Sequence, residues 1–252
     1  MTTPAIAPPR RLLWQQARVT GVRPETQGAA TLAFEIPDWP GHLPGQHVDL
    51  RLTAEDGYQA ERSYSIASAP EQPSVDITVE QIDDGEVSPF LVGEVREGDE
   101  IELRGPIGGY FTWHAEDGGP LLLVAGGSGI APLMAMLRHR EAAMSDAPTR
   151  LVASARTRDD LLYRDELDRI AARRDGFDLH VTLTRSAPPG WTGYTRRVDR
   201  ALLEEVAWPA AEMPRAFVCG PTSFVEAVAE ALVALGHEPG RVKTERFGPT
   251  GG

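Results

Sequence analysis

The sequence predicts two domains in series: a closed antiparallel β-barrel, followed by a parallel β-sheet wound on both faces by helices. Two observations predict this order. Up to about residue 116, short segments alternate apolar and polar residues between glycine- and proline-bearing turns. From about residue 120, strand-like apolar runs alternate with helix-like segments. We therefore expect a flexible tail at residues 1–10, a first domain at residues 11–116 and a second domain at residues 120–252, each long enough to bury its own core.

The strands of the first domain are predicted from apolar side chains at every second position. This pattern places strands at Thr31–Ile36, His47–Leu52 and Val75–Glu80, with turn signals between them. A short helix is predicted to begin near Ser88, because a serine N-cap followed by a first-turn proline favours a helix start.

The second domain opens on a continuous apolar run, Leu121–Ala125, which is typical of a strand buried on both faces. The alternation then predicts strands at Leu151–Ser154, Leu179–Thr184, Ala216–Cys219 and Val242–Phe247, and helices at Pro132–Met144, Leu161–Arg173, Val198–Val206 and Phe224–Leu235. Parallel sheets of this kind bind ligands outside the carboxyl ends of their strands. The boundary between the domains is expected at Asp117–Gly119.

Composition excludes several classes of function. The net charge of −12 argues against a nucleic-acid partner, because phosphate binding needs concentrated positive charge. Residues 1–10 carry no apolar run, and the longest such run, Leu121–Ala125, is too short to cross a membrane, so we expect a cytoplasmic protein. The single cysteine, Cys219, allows neither an intrachain disulfide nor a four-thiolate iron–sulfur cluster. The histidines lack metal-ligand spacing, and no metal site is expected.

Two glycine-bearing turns follow predicted strands of the second domain. Gly126-Gly-Ser-Gly129 lies between a strand and a helix, where glycines let the backbone approach a phosphate and the helix start offers unpaired N–H groups. The alternative is an ordinary glycine turn that caps a helix. Cys219-Gly-Pro-Thr222 follows a later strand, and the two turns could hold one extended dinucleotide between them. For Cys219 alone, a buried structural role is the alternative.

In the first domain, the segment Arg62-Ser-Tyr-Ser-Ile-Ala-Ser68 combines groups suited to a flat, phosphorylated ligand. An arginine can clamp a pyrophosphate, a tyrosine can stack on a ring, and a hydroxyl can bond to a ring nitrogen. A half-exposed strand with polar outward positions explains the same residues equally well.

The order of the motifs decides between these alternatives. Arg62-x-Tyr64-Ser65, Gly85-x-x-Ser88, Gly105-Pro-Ile-Gly-Gly-Tyr-Phe111, Gly126–Pro132 and Cys219-Gly-Pro221 follow one another along the chain. This order closely resembles the ferredoxin–NADP reductase superfamily, from about Arg11 to Phe247. The resemblance implies a Greek-key β-barrel that holds flavin and a five-stranded parallel sheet that holds a nicotinamide cofactor. It implies an FAD-dependent NAD(P)H oxidoreductase.

The resemblance also assigns flavin contacts to residues of the first domain. Arg62 is expected to bind the flavin pyrophosphate, Tyr64 to stack on the isoalloxazine, and Ser65 to bond near its redox-active nitrogen. A turn and helix start that would meet the pyrophosphate favour FAD over FMN; the residues are Gly85, Val87 and Ser88. Ser63, Ile66, Val79 and Phe247 complete the expected flavin contacts.

The remaining roles concern the nicotinamide cofactor and the reaction. The family's pyrophosphate loop corresponds to Gly126, Gly127, Ser128 and Gly129, and the residues beside its nicotinamide ring correspond to Cys219, Gly220 and Pro221. Ser65, Cys219 and Glu245 are the expected catalytic residues. Five residues follow Phe247, so either Phe247 or this tail covers the flavin, or the tail is disordered.

NADPH is expected in preference to NADH. Thr184-Arg185 follows the third strand of the second domain and resembles the Ser/Thr-Arg pair of NADPH-using relatives, while Arg156 and Arg158 follow the preceding strand. Arginine is the residue best suited to the extra ribose phosphate of NADPH. Solvated loop arginines are the alternative.

The expected partner is a separate electron-acceptor protein, because the single cysteine leaves none for a fused iron–sulfur domain. Iron–sulfur, haem and molybdenum proteins are the candidate acceptors. Two alternatives stay open: a reductase of free flavin or another small molecule, and a non-catalytic flavin-binding subunit that regulates a partner or senses its redox state.

Overall fold

The computed structural model describes residues 12–82 and 84–247, which form two sheets, one after the other along the chain. The predicted tail at residues 1–10 and the tail after Phe247 lie outside the described residues.

The first sheet is antiparallel and has six strands. They are β1 (Gln15–Thr26), β2 (Ala29–Glu35), β3 (His47–Thr53), β4 (Gln59–Ser65), β5 (Val75–Glu80) and β6 (Glu100–Ile107). Their order is β4-β3-β6-β1-β2-β5, and a bridge between Ile66 and Ile77 joins the two outer strands near their ends. Apolar side chains from alternate positions fill the interior, as Val48 and Leu50 do in β3. The predicted Greek-key barrel is confirmed.

A short helix, α1 (Ser88–Gly93), begins where the sequence predicts it, but the predicted N-cap is wrong. Val87 is the N-cap, and it provides no side-chain hydrogen bond to the helix. Ser88 instead accepts a hydrogen bond at Oγ from the backbone N–H of Ile82, at 3.0 Å. The serine therefore closes the turn around Gly85 rather than capping the helix.

The second sheet is parallel and has five strands in the order β11-β10-β7-β8-β9. They are β7 (Leu121–Gly126), β8 (Thr149–Ala155), β9 (Phe177–Leu183), β10 (Arg215–Pro221) and β11 (Val242–Phe247). The helices are α2 (Ile130–Ala142), α3 (Arg164–Ala171), α4 (Arg200–Val206) and α5 (Thr222–Ala234). Residues of α2 and α3 pack on one face of the sheet and residues of α4 and α5 on the other, so the predicted doubly wound architecture is confirmed.

Two helices start later than predicted. The helix predicted from Leu161 begins at Arg164, because Leu161 and Leu162 are buried outside the helix and Tyr163 has a left-handed backbone with φ of +56°. The helix predicted from Val198 begins at Arg200, after Asp199 accepts a hydrogen bond from the backbone N–H of Leu202 at 2.8 Å. An acidic N-cap of this kind fixes the first turn.

The two domains share apolar contacts. Ala29 and Ala67 of the barrel pack in the same buried cluster as residues of α2 and Trp113 of the connecting segment. Among the described residues, no helix has the length and apolar character that crossing a lipid bilayer requires.

Candidate active site at the domain seam

The three residues expected to be catalytic meet where the two domains face each other. Ser65 ends β4, and its Oγ donates a hydrogen bond to Oε1 of Glu245 at 3.3 Å. Glu245 lies on β11, in register with Cys219 on the neighbouring strand β10. Ser65 and Glu245 are 180 positions apart in sequence, so the fold brings them together.

A cavity of about 390 Å³ opens at this seam. Ser63 and Ser65 line it from β4, and Glu245 and Phe247 line it from β11. The other lining residues are Gly45, His47, Gly108, Gly109, Tyr110, Phe111, Thr244 and Arg246. None of these eight residues is assigned a role from the sequence, although the glycines of the Gly105–Phe111 motif are a signal that this segment matters. Gly108 has a φ of +97°, a turn conformation that favours glycine.

Burial controls the charge of the two acidic groups beside this cavity. It raises the pKa of Glu245 to about 7, against the opposing effect of the hydrogen bond from Ser65. Burial also raises the pKa of the Cys219 thiol well above its usual value, and the nearby Glu245 carboxylate adds to this rise. The thiol is therefore neutral at physiological pH, whereas Glu245 can hold or release a proton close to neutrality.

The residues expected to contact flavin lie along β4 and the turn before α1. The guanidinium of Arg62 is 29% exposed and lies 3.7 Å from the more exposed carboxylate of Glu86. Burial raises the pKa of Tyr64 to about 12, so its phenol stays neutral. Ser63 donates a hydrogen bond to Asp49 at 2.7 Å. An accessible cation and a neutral aromatic ring on one strand fit a flavin pyrophosphate and ring system.

The remaining expected flavin contacts lie closer to the barrel core. Ile66, Val79 and Val87 are buried there, and Ser88 is also buried. Gly85 is half-buried, and its backbone N–H donates to the carbonyl of Ile82 at 2.8 Å.

The four residues of the predicted pyrophosphate loop divide into two groups. A Cβ on Gly126 would lie 2.9 Å from the ring of Phe224, and one on Gly129 would lie 2.2 Å from the carbonyl oxygen of Cys219. Both glycines are therefore required by packing inside the domain. Gly127 is exposed with a φ of +56°, and Ser128 is half-buried, so these two residues can face a ligand.

The second glycine turn packs against the first. Gly220 has a φ of +155°, and a Cβ there would lie 3.0 Å from the carbonyl oxygen of Gly126. Pro221 is paired in register with Phe247 of β11, beside the seam cavity. The two turns thus form one continuous backbone surface at the carboxyl ends of β7 and β10, where parallel sheets bind nucleotides.

The residues expected to select NADPH lie side by side. The backbone N–H of Thr184 donates to the carbonyl of Ala155 at 3.0 Å, and that of Arg185 donates to the carbonyl of Arg156 at 2.9 Å. Arg156, Thr184 and Arg185 are exposed, so two guanidinium groups share one surface after β8 and β9. Arg158 is 3.9 Å from Asp168.

Comparison with known proteins gives the family. A model of the oxidoreductase FAD-binding domain matches residues 19–112, and one of the oxidoreductase NAD-binding domain matches residues 123–230. The chain is 34% identical to ferredoxin–NADP reductase B of Sorangium cellulosum, over 92% of this chain and 97% of that protein. The chain belongs to the ferredoxin–NADP reductase superfamily. The predicted class, an FAD-dependent NAD(P)H oxidoreductase, is confirmed with it.

The chain is also similar to a longer reductase subunit and to a solved structure of lower sequence identity. The chain is 36% identical to the glycine betaine monooxygenase reductase subunit of Pseudomonas aeruginosa, over 82% of this chain. It spans just over half, 56%, of the length of that subunit. The fold is similar to the crystal structure of a ferredoxin NADP+ reductase from Neisseria gonorrhoeae with bound FAD and NADP, with a TM-score of 0.78 and 23% identity over 92% of this chain and 98% of that one.

Proposed function

We propose that this reductase takes hydride from NADPH onto FAD at the domain seam and passes the electrons to a separate redox protein. The observation that carries the proposal is the hydrogen bond between Ser65 and Glu245 across the seam, with Cys219 in register on the next strand. When bound, the flavin supplies the conversion between two-electron and one-electron transfer. The protein supplies position, exclusion of water and proton control.

For the flavin, Arg62 would bind the pyrophosphate and Tyr64 would stack on the ring, while Ser65 would donate to a ring nitrogen. A second cavity of about 690 Å³ is lined in part by Ala60 of β4, by Tyr58 just before that strand and by Glu86, and it supports FAD rather than FMN. Arg62 lies on β4 between Ala60, which lines the second cavity, and Ser63, which lines the seam cavity. A ligand whose pyrophosphate is held at Arg62 could therefore extend along the strand in both directions.

For the nicotinamide cofactor, the backbone at exposed Gly127 and half-buried Ser128 would meet the pyrophosphate. Cys219, Gly220 and Pro221 would border the nicotinamide ring. Arg185 and Arg156 support NADPH over NADH, because only NADPH carries a phosphate group on its adenosine ribose, and arginine is suited to bind it.

Three side chains would act at the reaction centre. The pKa of Glu245 is about 7, so its carboxyl is protonated at lower pH and ionised at higher pH. It can therefore exchange protons near the flavin at neutral pH. Ser65 orients that carboxyl through its hydrogen bond. Cys219 is fully buried and presents a neutral thiol that excludes water from the same place.

A separate acceptor protein is supported by the names of two relatives. One is the reductase subunit of a monooxygenase and the other is a ferredoxin–NADP reductase. Among the candidate acceptors, an iron–sulfur protein agrees with the name of the ferredoxin–NADP reductase.

The test is electron delivery under steady-state turnover. Purified protein with NADPH is offered a plant-type [2Fe–2S] ferredoxin, a haem protein or free FMN, and acceptor reduction is followed by absorbance. We expect a one-electron protein acceptor to be reduced faster than free FMN. Preferential reduction of free FMN would identify a small-molecule reductase instead, and no turnover with any acceptor would favour the non-catalytic regulatory subunit.

A further inference from the structure

A buried cluster of polar side chains joins the two domains away from the seam cavity. The hydroxyl of Tyr163, in the second domain, is hydrogen-bonded to Oγ1 of Thr78 on β5. Thr78 is 2.7 Å from Oγ1 of Thr31 on β2, and Thr31 donates to Glu25 at 2.7 Å. The backbone N–H of Tyr163 donates to the same Glu25 carboxylate at 3.3 Å. The exposed fractions are 3% for Tyr163, 5% for Thr78 and 2% for Thr31.

Arg138 on α2 extends this cluster. Its guanidinium lies 5.1 Å from the centre of the Tyr163 ring, and it donates two hydrogen bonds to Glu166 at 3.0 and 2.6 Å. A third hydrogen bond, 2.7 Å long, reaches the carbonyl of Ala67 in the barrel. Burial by itself would lower the pKa of Arg138, but its partner Glu166 raises it above the usual value, so the guanidinium stays charged.

The cluster is attached to the chain close to both cofactor motifs. Ala67 lies two positions after Ser65, and Thr78 immediately precedes Val79. Arg138 lies on the helix that starts directly after the loop of Gly127–Gly129. Two hydrogen-bonded groups, joined by the contact of the Arg138 guanidinium with the Tyr163 ring, therefore lie between the flavin motif and the helix behind the nicotinamide loop.

The chemistry of this cluster is a poor source of stability alone. Removing charged and hydroxyl groups from water costs free energy, and well-packed apolar residues often stabilise as much or more. Tyr163 also takes a left-handed backbone conformation, which is rare for a bulky residue and persists only where its surroundings enforce it. The polar groups add a geometric requirement, because the three hydrogen bonds of this cluster that cross between the domains are satisfied together only in one relative placement of the two domains.

We propose that Tyr163 and Arg138 are positioning residues, which fix the nicotinamide-binding domain on the flavin-binding domain at the distance that hydride transfer needs. The inference rests on the proposed function. Hydride transfer is steeply sensitive to placement, since a displacement of about 1 Å can cost about a hundredfold in rate. Neither residue lines the seam cavity, so their effect on the reaction passes through the domain arrangement.

The variant that separates positioning from stability is Tyr163→Phe. It keeps the ring beside Arg138 but removes the hydroxyl that reaches Thr78. Thr78→Val removes the other partner of the same hydrogen bond, and it serves as the second variant if Tyr163→Phe folds poorly. The matched control is Tyr194→Phe, because the Tyr194 ring packs on the core of the second domain.

Two measurements are made on the full FAD-loaded chain. Anaerobic stopped flow gives the limiting rate of flavin reduction and the NADPH concentration at half-saturation. Anaerobic equilibrium titration of the chemically reduced protein with NADP+ gives the long-wavelength charge-transfer absorption of the reduced flavin stacked on the oxidised nicotinamide ring, a readout that needs no steady-state turnover. We expect Tyr163→Phe to lower the limiting rate by about tenfold or more and to weaken the charge-transfer absorption. The FAD content and the half-saturating NADPH concentration of Tyr163→Phe should stay within about twofold of wild type. Every measured parameter of the control Tyr194→Phe should also stay within about twofold.

Coupling between the two variants gives the decisive comparison. If the two substitutions break the same contact, the double variant Tyr163→Phe/Thr78→Val reduces its flavin no more slowly than the slower of the two single variants. Wild-type rates and wild-type charge-transfer absorption in both single variants would overturn the inference and leave the cluster a structural role. A wild-type protein that neither nucleotide reduces would instead overturn the proposed function, and this inference with it.

Discussion

The protonation of Glu245 is open to a direct thermodynamic test through Glu245→Gln. Burial raises the pKa of this carboxyl from 4.5 to about 7 in the folded protein. The folded state therefore holds a proton that the unfolded state has already released between these two values. The stabilisation of the folded state by this proton is fully present below about pH 4.5 and is lost as the pH rises through about 7. The full difference corresponds to about 3 kcal/mol, and most of it falls between about pH 5 and about pH 8.

Glutamine keeps the shape of the protonated carboxyl and carries no titrating group. Between about pH 5 and about pH 8, the free energy of unfolding of Glu245→Gln should therefore rise by about 2–3 kcal/mol relative to that of wild type. Urea unfolding of the flavin-free full chain, at these two pH values, measures the gain. The control is Glu226→Gln on α5, which makes the same substitution at an exposed position of the same domain. Equal pH dependence in Glu245→Gln and wild type would mean that the seam carboxyl titrates normally, and the proton role proposed for it would be wrong.

Three further substitutions test the binding sites and the loop packing. Arg62→Ala should weaken FAD binding to the flavin-free protein by about 1.5–3 kcal/mol, the usual scale for a charged hydrogen bond, and an unchanged dissociation constant would contradict its assignment. Arg185→Ala should raise the KM for NADPH and leave that for NADH nearly unchanged, whereas equal losses would indicate a structural role. Gly129→Ala should destabilise the protein by about 1–3 kcal/mol or more in thermal unfolding, because its Cβ would overlap the carbonyl of Cys219. Gly93→Ala, which meets no atom within 4 Å, should unfold close to the wild-type temperature.

The sequence predicted the parallel domain better than the barrel, for a physical reason. Strands buried on both faces, such as Leu121–Gly126, are continuous apolar runs that are easily recognised. In Gln15–Thr26, by contrast, buried Ala17 and Val19 alternate with polar residues on an exposed face, and this short pattern does not by itself predict a strand. Strand Glu100–Ile107 was missed for the same reason.

The candidate site divides in a similar way. Ser65 and Cys219 belong to motifs that follow one another in a recognisable order, so the sequence indicates them together, and the resemblance to the superfamily adds Glu245. The hydrogen bond between Tyr163 and Thr78 links positions 85 residues apart, and neither residue belongs to a motif. Such contacts depend on how the domains pack, which local sequence does not determine.

Anaerobic reduction of the bound flavin, followed in a single turnover, tests the central claim most directly. The account predicts a yellow protein with FAD bound, whose visible absorption is lost on mixing with NADPH. It also predicts that Cys219→Ala and Ser65→Ala keep their FAD and lose about a hundredfold in that rate, the usual scale for groups that act only during the reaction. A protein whose flavin stays oxidised with both NADPH and NADH would contradict the proposed hydride transfer, and wild-type rates in both variants would contradict the proposed reaction centre.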